Sequence, residues 1–337
     1  MTALIPIGKL PAEHLARLLA EHSRPDPRLI VGAQVGEDAA VIEMGDRYLV
    51  AKSDPITFAT DEIGWYAVHV NANDVACSGA VPRWFLATLL LPEGKTDARL
   101  VDTIFAQMAE ACGRLGVTLV GGHTEITYGL DRPVVVGHML GEVAPGHFVA
   151  TAGVQAGDDI ILTKGIAVEA TAIIAREKAA EVSQVFGAEF VQRCQGFLHD
   201  PGISVARDAQ VAQSAGTVHA MHDPTEGGLA TGLWEMSQAA RVGLEIDEAA
   251  IPILAETAAL CARFSLDPLG VIASGALLIA CPPAASGSIL GALQAAGIAA
   301  TLLGRAVGSE HGCRLLHANG ARRLPTFARD EITRLFE

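Results

Sequence analysis

Apolar residues recur along this chain in two alternating rhythms, helical and extended, and the alternation predicts its elements. From Pro11 to Glu21, Leu15, Leu18 and Leu19 fall at helical spacing behind a proline suited to a first turn, which predicts a helix. Arg47 to Ser53 reads as a strand that delivers Asp54 to its end. Trp65, Val68, Ala72, Val75 and Ala76 share a helical period, so Gly64 to Ser78 is expected to be helical, bounded by Pro82. An apolar strand over Arg83 to Leu91 follows, then a helix over Asp97 to Leu115 with Gly116 as its stop signal. Strands over Val117 to Val120 and Val134 to Leu140 close this half, the first running into a Gly-Gly loop.

Around Ala144 to Gly157 the composition shifts to Ala, Pro, Gly, His and Thr, which marks a boundary between domains at 1–150 and 151–337. The second half repeats the alternation. Strands are expected over Asp159 to Thr163, Thr217 to His222 and Ala276 to Cys281, and helices over Val168 to Ala180, Gly228 to Ala240, Glu256 to Phe264 and Ile289 to Ala296. The segment from Val134 to Val143 is echoed by Ile298 to Ala306, which suggests two related α/β halves.

Composition narrows the function. A chain of 337 residues, half of them hydrophobic and 18% charged, has room for two well-packed domains. Only 5% are aromatic, so the core should be Ala, Val, Ile and Leu. A net charge of -14 without a long Lys/Arg stripe argues against a general nucleic-acid binder. The cysteines Cys77, Cys112, Cys194, Cys261, Cys281 and Cys313 stand singly, which favours reduced structural thiols over a zinc or dithiol motif. Met1 to Lys9 is too short for a secretory signal and no uncharged stretch reaches membrane-spanning length, so a cytoplasmic protein without membrane contact is expected.

Against this background the acidic residues set among small ones stand out. Asp38 lies in Gly36-Glu-Asp-Ala-Ala40, Asp54 in Ser53-Asp-Pro55, and Asp74 in Asn71-Ala-Asn-Asp74. Gathered at one point, such carboxylates hold a polyanion through Mg2+, a hard cation that takes oxygen ligands and keeps part of its water shell. Taken singly they also read as a turn residue, a cap and a solvated helix position. Asp74 is the least ordinary, because a lone carboxylate on a small-residue face needs a partner. In Gly121-Gly122-His123-Thr124-Glu125 the glycines permit close approach of backbone to ligand, His123 could donate to phosphate and Glu125 could complete a metal shell; the alternative is a tight turn with an exposed histidine.

The run His222-Asp223-Pro-Thr225-Glu226-Gly227-Gly228-Leu229 is a strand–loop–helix transition whose free N–H groups suit an anion, or a helix start capped by Thr225 or Asp223. It matches neither a Gly-x-Gly-x-x-Gly nor a Walker A sequence. Lys164, in Lys164-Gly-Ile-Ala-Val-Glu169, is a further phosphate partner or an exposed strand-end lysine, and Ser274-Gly275 is another Gly-bearing turn.

These motifs, in this order, resemble the PurM/HypE (aminoimidazole ribonucleotide synthetase-related) superfamily: Gly36 to Val41, Ser53-Asp54-Pro55, Asn73-Asp74-Val-Ala-Cys-Ser-Gly-Ala80-Val-Pro82, the Gly121-Gly122 loop and His222 to Leu229. The resemblance extends from about Gly36 to Ala306, and Asp54 to Pro92 is most similar to the HypE branch. It implies a two-domain α/β (α+β) fold, with an N-terminal sheet that pairs in a dimer barrel and a C-terminal α/β domain for substrate. It also implies Mg-ATP as cofactor, metal and nucleotide roles for Asp38, Asp54 and Asp74, and further contacts from Gly122 and Glu125; Gly121, Lys164, Thr225, Gly227 and Gly228 join them as candidate nucleotide contacts from their own loops. Two departures are visible: His123 stands where the HypE and thiamine-phosphate kinase loop carries Asp, and the sequence closes on Glu331 to Glu337 where HypE carries a cysteine tail. The expectation is an ATP- and Mg2+-dependent enzyme that phosphorylates an oxygen of a small substrate, with His123 and Asp223 in proton transfer. The rival is a nucleotide-responsive maturation factor acting on a protein partner.

Overall fold

The computed structural model describes residues 5, 10–33, 39–57 and 61–336. The first half comprises α1 (Ala12–His22), β1 (Leu29–Val31), β2 (Ala40–Glu43), β3 (Tyr48–Ile56), α2 (Ile63–Cys77), β4 (Val81–Pro92), α3 (Ala98–Leu115), β5 (Thr118–Thr127) and β6 (Val134–Val143). Its strands form one sheet in the order β1-β2-β3-β6-β4-β5. All neighbours are antiparallel except β4 and β5, which α3 joins as a crossover. Helix α3 is a surface helix with both ends marked in the sequence: Asp97 accepts from the Leu100 N–H at 2.8 Å, and Gly116 ends it at φ +67°. Helix α2 is different, buried around nearly its whole circumference. It lies on β3 and β6, beside α3, and against elements of the second half, which is where an all-round apolar helix belongs.

The second half comprises β7 (Asp159–Thr163), α4 (Val168–Glu177), α5 (Ala179–Phe186), α6 (Ala188–Gly196), α7 (Ala206–Ala215), β8 (Ala220–His222), α8 (Gly228–Ala240), β9 (Gly243–Asp247), α9 (Ala255–Phe264), β10 (Leu278–Cys281), α10 (Pro283–Ala295), β11 (Ala300–Val307), β12 (Cys313–His317) and β13 (Gly320–Arg323). Its sheet runs β13-β12-β9-β11-β7-β10-β8. Leu229, Leu233 and Met236 of α8 pack on one face of it. Residues of α7 and α10 pack on the other, where Ala76 and Cys77 at the end of α2 join them. Helices α4, α5, α6 and α9 form a lateral cluster of their own. The two echoed segments hold equivalent places: β6 lies antiparallel between β3 and β4, and β11 antiparallel between β7 and β9.

Several boundaries differ from expectation for physical reasons. Strand β3 runs past Ser53 to Ile56, so Asp54 sits within a strand. Pro55 is tolerated there because β2 pairs only with Tyr48 to Ala51, leaving the far edge of β3 free of ladder bonds to β2. The expected Gly-Gly loop is the middle of β5. A Cβ on Gly122 would stand 1.9 Å from the Ala87 carbonyl oxygen, so glycine here serves close strand approach and no turn. Helix α4 stops at Glu177 because Lys178 leaves helical geometry, and α10 starts at Pro283, a residue suited to a first turn, rather than at Ile289. Among the described residues no helix is long and apolar enough to cross a membrane.

Candidate functional site

Two of the acidic residues meet. Lys52 and Asp54 are two apart on β3 and therefore share a face, which is the face covered by α2. The Lys52 ammonium lies 3.3 Å from Asp54 Oδ2 and 3.0 Å from Oδ2 of Asp74 on α2. Asp74 is nearly inaccessible, with 7% of its side chain exposed, while Asp54 is open at 39%. Two carboxylates against one ammonium leave this triad with net negative charge, and its open end is Asp54. Such a pair suits a hydrated Mg2+, which takes one or two protein carboxylates and fills its remaining positions with water and phosphate oxygens. Among the described residues no three His, Cys, Asp or Glu side chains converge as a ready-made metal cage; Asp38 lies outside the described residues.

The backbone at Asp54 is fixed by α2. Asn71 Oδ1 accepts from the Asp54 N–H at 2.8 Å, and Asn71 Nδ2 donates to the carbonyls of Asp54 at 3.3 Å and Ala67 at 2.9 Å. Gly137 on β6 makes room for this amide, since a Cβ there would stand 2.3 Å from Asn71 Nδ2. The next residues of α2 reach the second half. Asn73 donates to the Ile203 carbonyl at 2.8 Å and accepts from the Val205 N–H at 2.9 Å. The Cys77 thiol donates to Asp223 Oδ1 at 3.3 Å. Asp74 and Cys77, one turn apart, line the same small pocket together with Ala39, Val41, Ser78 and Val149. Asp223 is thus joined to the carboxylate pair through one turn of α2.

The other residues of the Gly-bearing turn are arranged differently from the anion cradle expected. Gly227 and Gly228 both adopt left-handed φ, at +77° and +64°, and α8 has no side-chain cap from Thr225 or Asp223. The Gly227 N–H instead donates to Asp330 Oδ2 at 2.7 Å, a carboxylate from 103 residues further along. Lys164 is buried, not an exposed strand end. Its ammonium donates to the carbonyls of Ser204 at 2.6 Å and Gly275 at 2.7 Å and pairs with Asp208 at 3.1 Å. Burial pulls its pKa down and Asp208 opposes that pull. Lys164 therefore pins two loops of the cleft.

His123 and Glu125 stand elsewhere in the single chain. Asp54 is opposite Gly137, Gly137 opposite Ala87, and Ala87 opposite Gly122, so Gly122 is three strands from Asp54, about 14 Å. Gly137 faces Asn71 of α2. Strand alternation then directs His123 and Glu125 from the opposite face of the sheet, where they lie 3.6 Å apart and are 68% and 53% exposed. Trp65 is packed between His69 and His199, with ring centroids at 4.3 and 4.5 Å, in keeping with a packing role, and Arg83 is exposed.

Four contributors escaped the reading of the sequence. Lys52 was legible, since period two places it beside Asp54. Asn71 and Asn73 announced themselves only as neighbours of Asp74. Glu169, in the first turn of α4, is buried, and its carboxyl is pushed up to about 7. The dominant cause is burial; Asp330, Glu226 and Asp223 add to it and a hydrogen bond from Ser274 opposes it.

Family models match both halves: "AIR synthase related protein, N-terminal domain" over residues 36–143, and "AIR synthase related protein, C-terminal domain" over 155–314. Carbamoyl dehydratase HypE of Rhodobacter capsulatus is 33% identical over 301 residues, covering 85% of this chain and 84% of that protein. Among solved structures, hydrogenase maturation protein HypE in complex with ATP superposes with a TM-score of 0.72 at 23% identity, covering 94% of this chain and 91% of that one. A chain of a HypE–HypF complex gives 0.72 at 21% identity, with 86% and 93% covered.

Proposed function

The chain belongs to the AIR synthase-related (PurM/HypE) superfamily, and from that premise we propose that it is an ATP- and Mg2+-dependent enzyme transferring the γ-phosphoryl group to an oxygen of a small substrate. The observation that carries this reading is the Lys52–Asp54–Asp74 triad on α2 and β3, one helical turn from the Cys77–Asp223 contact with the second half. Asp54 and Asp74 would hold the metal, with Asp38 as the third carboxylate. Mg2+ would neutralise the charge on the polyphosphate, so that positioning supplies the rest of the catalysis. Gly121, where a Cβ would meet nothing within 4 Å, would offer its backbone to nucleotide, and Gly122, packed on Ala87, would hold that strand in place. Asp223 faces the acceptor, and Thr225, Gly227 and Gly228 shape the turn that holds it. Lys164 acts by fixing the loops at Ser204 and Gly275.

His123 and Glu125 enter this reading through a homodimer. Strand β5 is an edge of its sheet, exposed along nearly its whole length, with Val120 and Ile126 at 50% and 59%. An exposed edge of this length invites pairing, and two copies joined there would cover it. Calorimetric titration of the full chain with ATP, with and without Mg2+, tests the enzyme reading. Micromolar binding that requires Mg2+ and is lost in Asp54→Ala and Asp74→Ala variants supports it; absence of binding by the native chain refutes it. A second reading, a HypE-like factor acting on a protein partner, is favoured by the HypE–HypF assembly of a relative with this fold. An ATP-dependent protein partner recovered by pull-down would support it.

A further inference from the structure

Resting on the metal–nucleotide reading, we propose that Lys52 is a displaceable resident cation. Its ammonium holds the position between Asp54 and Asp74 that Mg2+ takes, and yields it readily only when a polyphosphate arrives to receive the ammonium. The site then admits the metal together with nucleotide and resists the metal alone.

The geometry is that of one cation between two carboxylates. The Lys52 nitrogen lies 3.3 Å from Oδ2 of Asp54 and 3.0 Å from Oδ2 of Asp74. Mg2+ binds carboxylate oxygens at about 2.0–2.1 Å, so an ion touching both oxygens from this side would overlap the ammonium. Setting Mg2+ beside a retained ammonium is little better. Lys52 and Asp74 are both largely enclosed, and two like charges a few ångströms apart in such a setting repel strongly. The two cations therefore compete for one pair of carboxylates.

The lysine also answers a need of the free chain. A carboxylate as enclosed as Asp74 is costly without a counter-charge, and Lys52 supplies it before any ligand arrives. Lys52 stands opposite Met139, fully buried on β6, so its stem belongs to the core and its tip is the part able to move. A single point charge on a flexible stem releases two oxygens more readily than a planar guanidinium fork would. Asp54, the open end of the triad, is where the exchange proceeds.

The cost of exchange depends on what arrives. When Mg2+ enters alone, the displaced ammonium gives up both ion pairs and gains only water. When Mg2+ enters with ATP, the ammonium moves a few ångströms to a phosphate oxygen, which lysine binds as a point charge. Metal and nucleotide thus each raise the affinity for the other, by the same factor.

Calorimetric titrations of the full chain with Mg2+ alone, with ATP in EDTA, and with ATP at saturating Mg2+ test the exchange. The native chain should bind Mg2+ alone on the order of 10-fold or more weakly than it does with ATP present. Lys52→Met should bind Mg2+ alone about 10-fold or more tightly than the native chain, and the gain from ATP should shrink by the same factor. Adding Asp74→Ala to Lys52→Met should abolish that tightening, which places it at this pair. Lys52→Arg should bind Mg2+ alone more weakly than the native chain, and it carries the test if Lys52→Met does not fold; equal or tighter binding by it would then overturn the proposal. Mg2+ binding that is unchanged or weaker in Lys52→Met without ATP would also overturn it, leaving Lys52 as a residue that orients the carboxylates. So would the absence of measurable Mg2+ binding by both proteins. Failure of the native chain to bind ATP is a separate result: it refutes the enzyme reading, whereas the competition between Lys52 and Mg2+ is read from Mg2+ alone.

Discussion

Replacing Glu169 by Gln should make the protein's stability less dependent on pH, and the size of the effect follows from its surroundings. The carboxyl is fully enclosed and held up to about 7, against an ordinary 4.5. For a carboxyl raised in this way the folded state binds the proton more tightly than the unfolded state does. Its contribution is therefore complete below pH 4.5 and is lost as pH rises through 7. The gap between the two values corresponds to about 3 kcal/mol, reached once the group is charged in both states. Gln keeps the shape and cannot ionise, so the variant should exceed the native chain by less than about 1 kcal/mol near pH 5 and by up to about 3 kcal/mol near pH 8.5. At roughly 2–4 °C per kcal/mol for a unit of domain size, the difference in Tm between the two proteins should open by about 5–10 °C across this range. Scanning calorimetry of both proteins at the two pH values measures it, and the titrating groups that do not interact with Glu169 cancel in the comparison. Melting curves that stay parallel from pH 5 to 8.5 would refute the placement of Glu169 in a closed acidic setting.

Three further substitutions probe the frame around the site. Lys52→Met leaves Asp54 and Asp74 facing each other without their ammonium and should cost about 2–3 kcal/mol, less than a fully buried pair because Asp54 is 39% exposed; if the two carboxylates bind Mg2+, added Mg2+ should restore part of the lost Tm. Asn73→Ala strands the Ile203 carbonyl and the Val205 N–H; at 1–3 kcal/mol per buried group the loss should be about 2–6 kcal/mol, with faster amide exchange at Val205. Gly122→Ala drives a Cβ to 1.9 Å from the Ala87 carbonyl oxygen, so β5 must separate from β4, and a native-like urea midpoint in this variant would contradict the strand register.

What the sequence made legible were features whose cause is local. Helix α2 was located to within a residue at each end, because its apolar period is set by its own side chains. The need of Asp74 for a partner followed from a carboxylate among small residues, though the partner proved to be Lys52. The Gly-Gly pair misled because glycine permits both turns and close strand approach, and only the position of Ala87 on β4 decides between them. At the start of α8 the chemistry was legible and the donor was not. An anion does meet the Gly227 N–H, but it arrives as Asp330 from a distant segment, which no local pattern encodes. Glu169 illustrates the same limit: an acid in a first helical turn ordinarily reads as favourable to the helix dipole, and its burial depends on α2 and on loops brought together only by the fold.

Helix α2 makes one unit of what the two sheets would otherwise hold separately. Asn71 fixes the backbone of Asp54, Asp74 meets Lys52, Asn73 holds the loop at Ile203 and Val205, and Cys77 reaches Asp223, all within two turns. Because the helix is buried on nearly every side, it cannot shift toward one partner without straining its contacts to the others. If Asp54 and Asp74 hold the metal and Asp223 faces the acceptor, as proposed, the distance between those two sides is set by this helix before any ligand arrives. Positioning is what phosphoryl transfer most requires of a protein. A helix with its polar residues clustered in two turns and its remaining surface packed supplies that alignment, while Lys52 and Lys164 are each paired with a carboxylate, in a chain acidic overall.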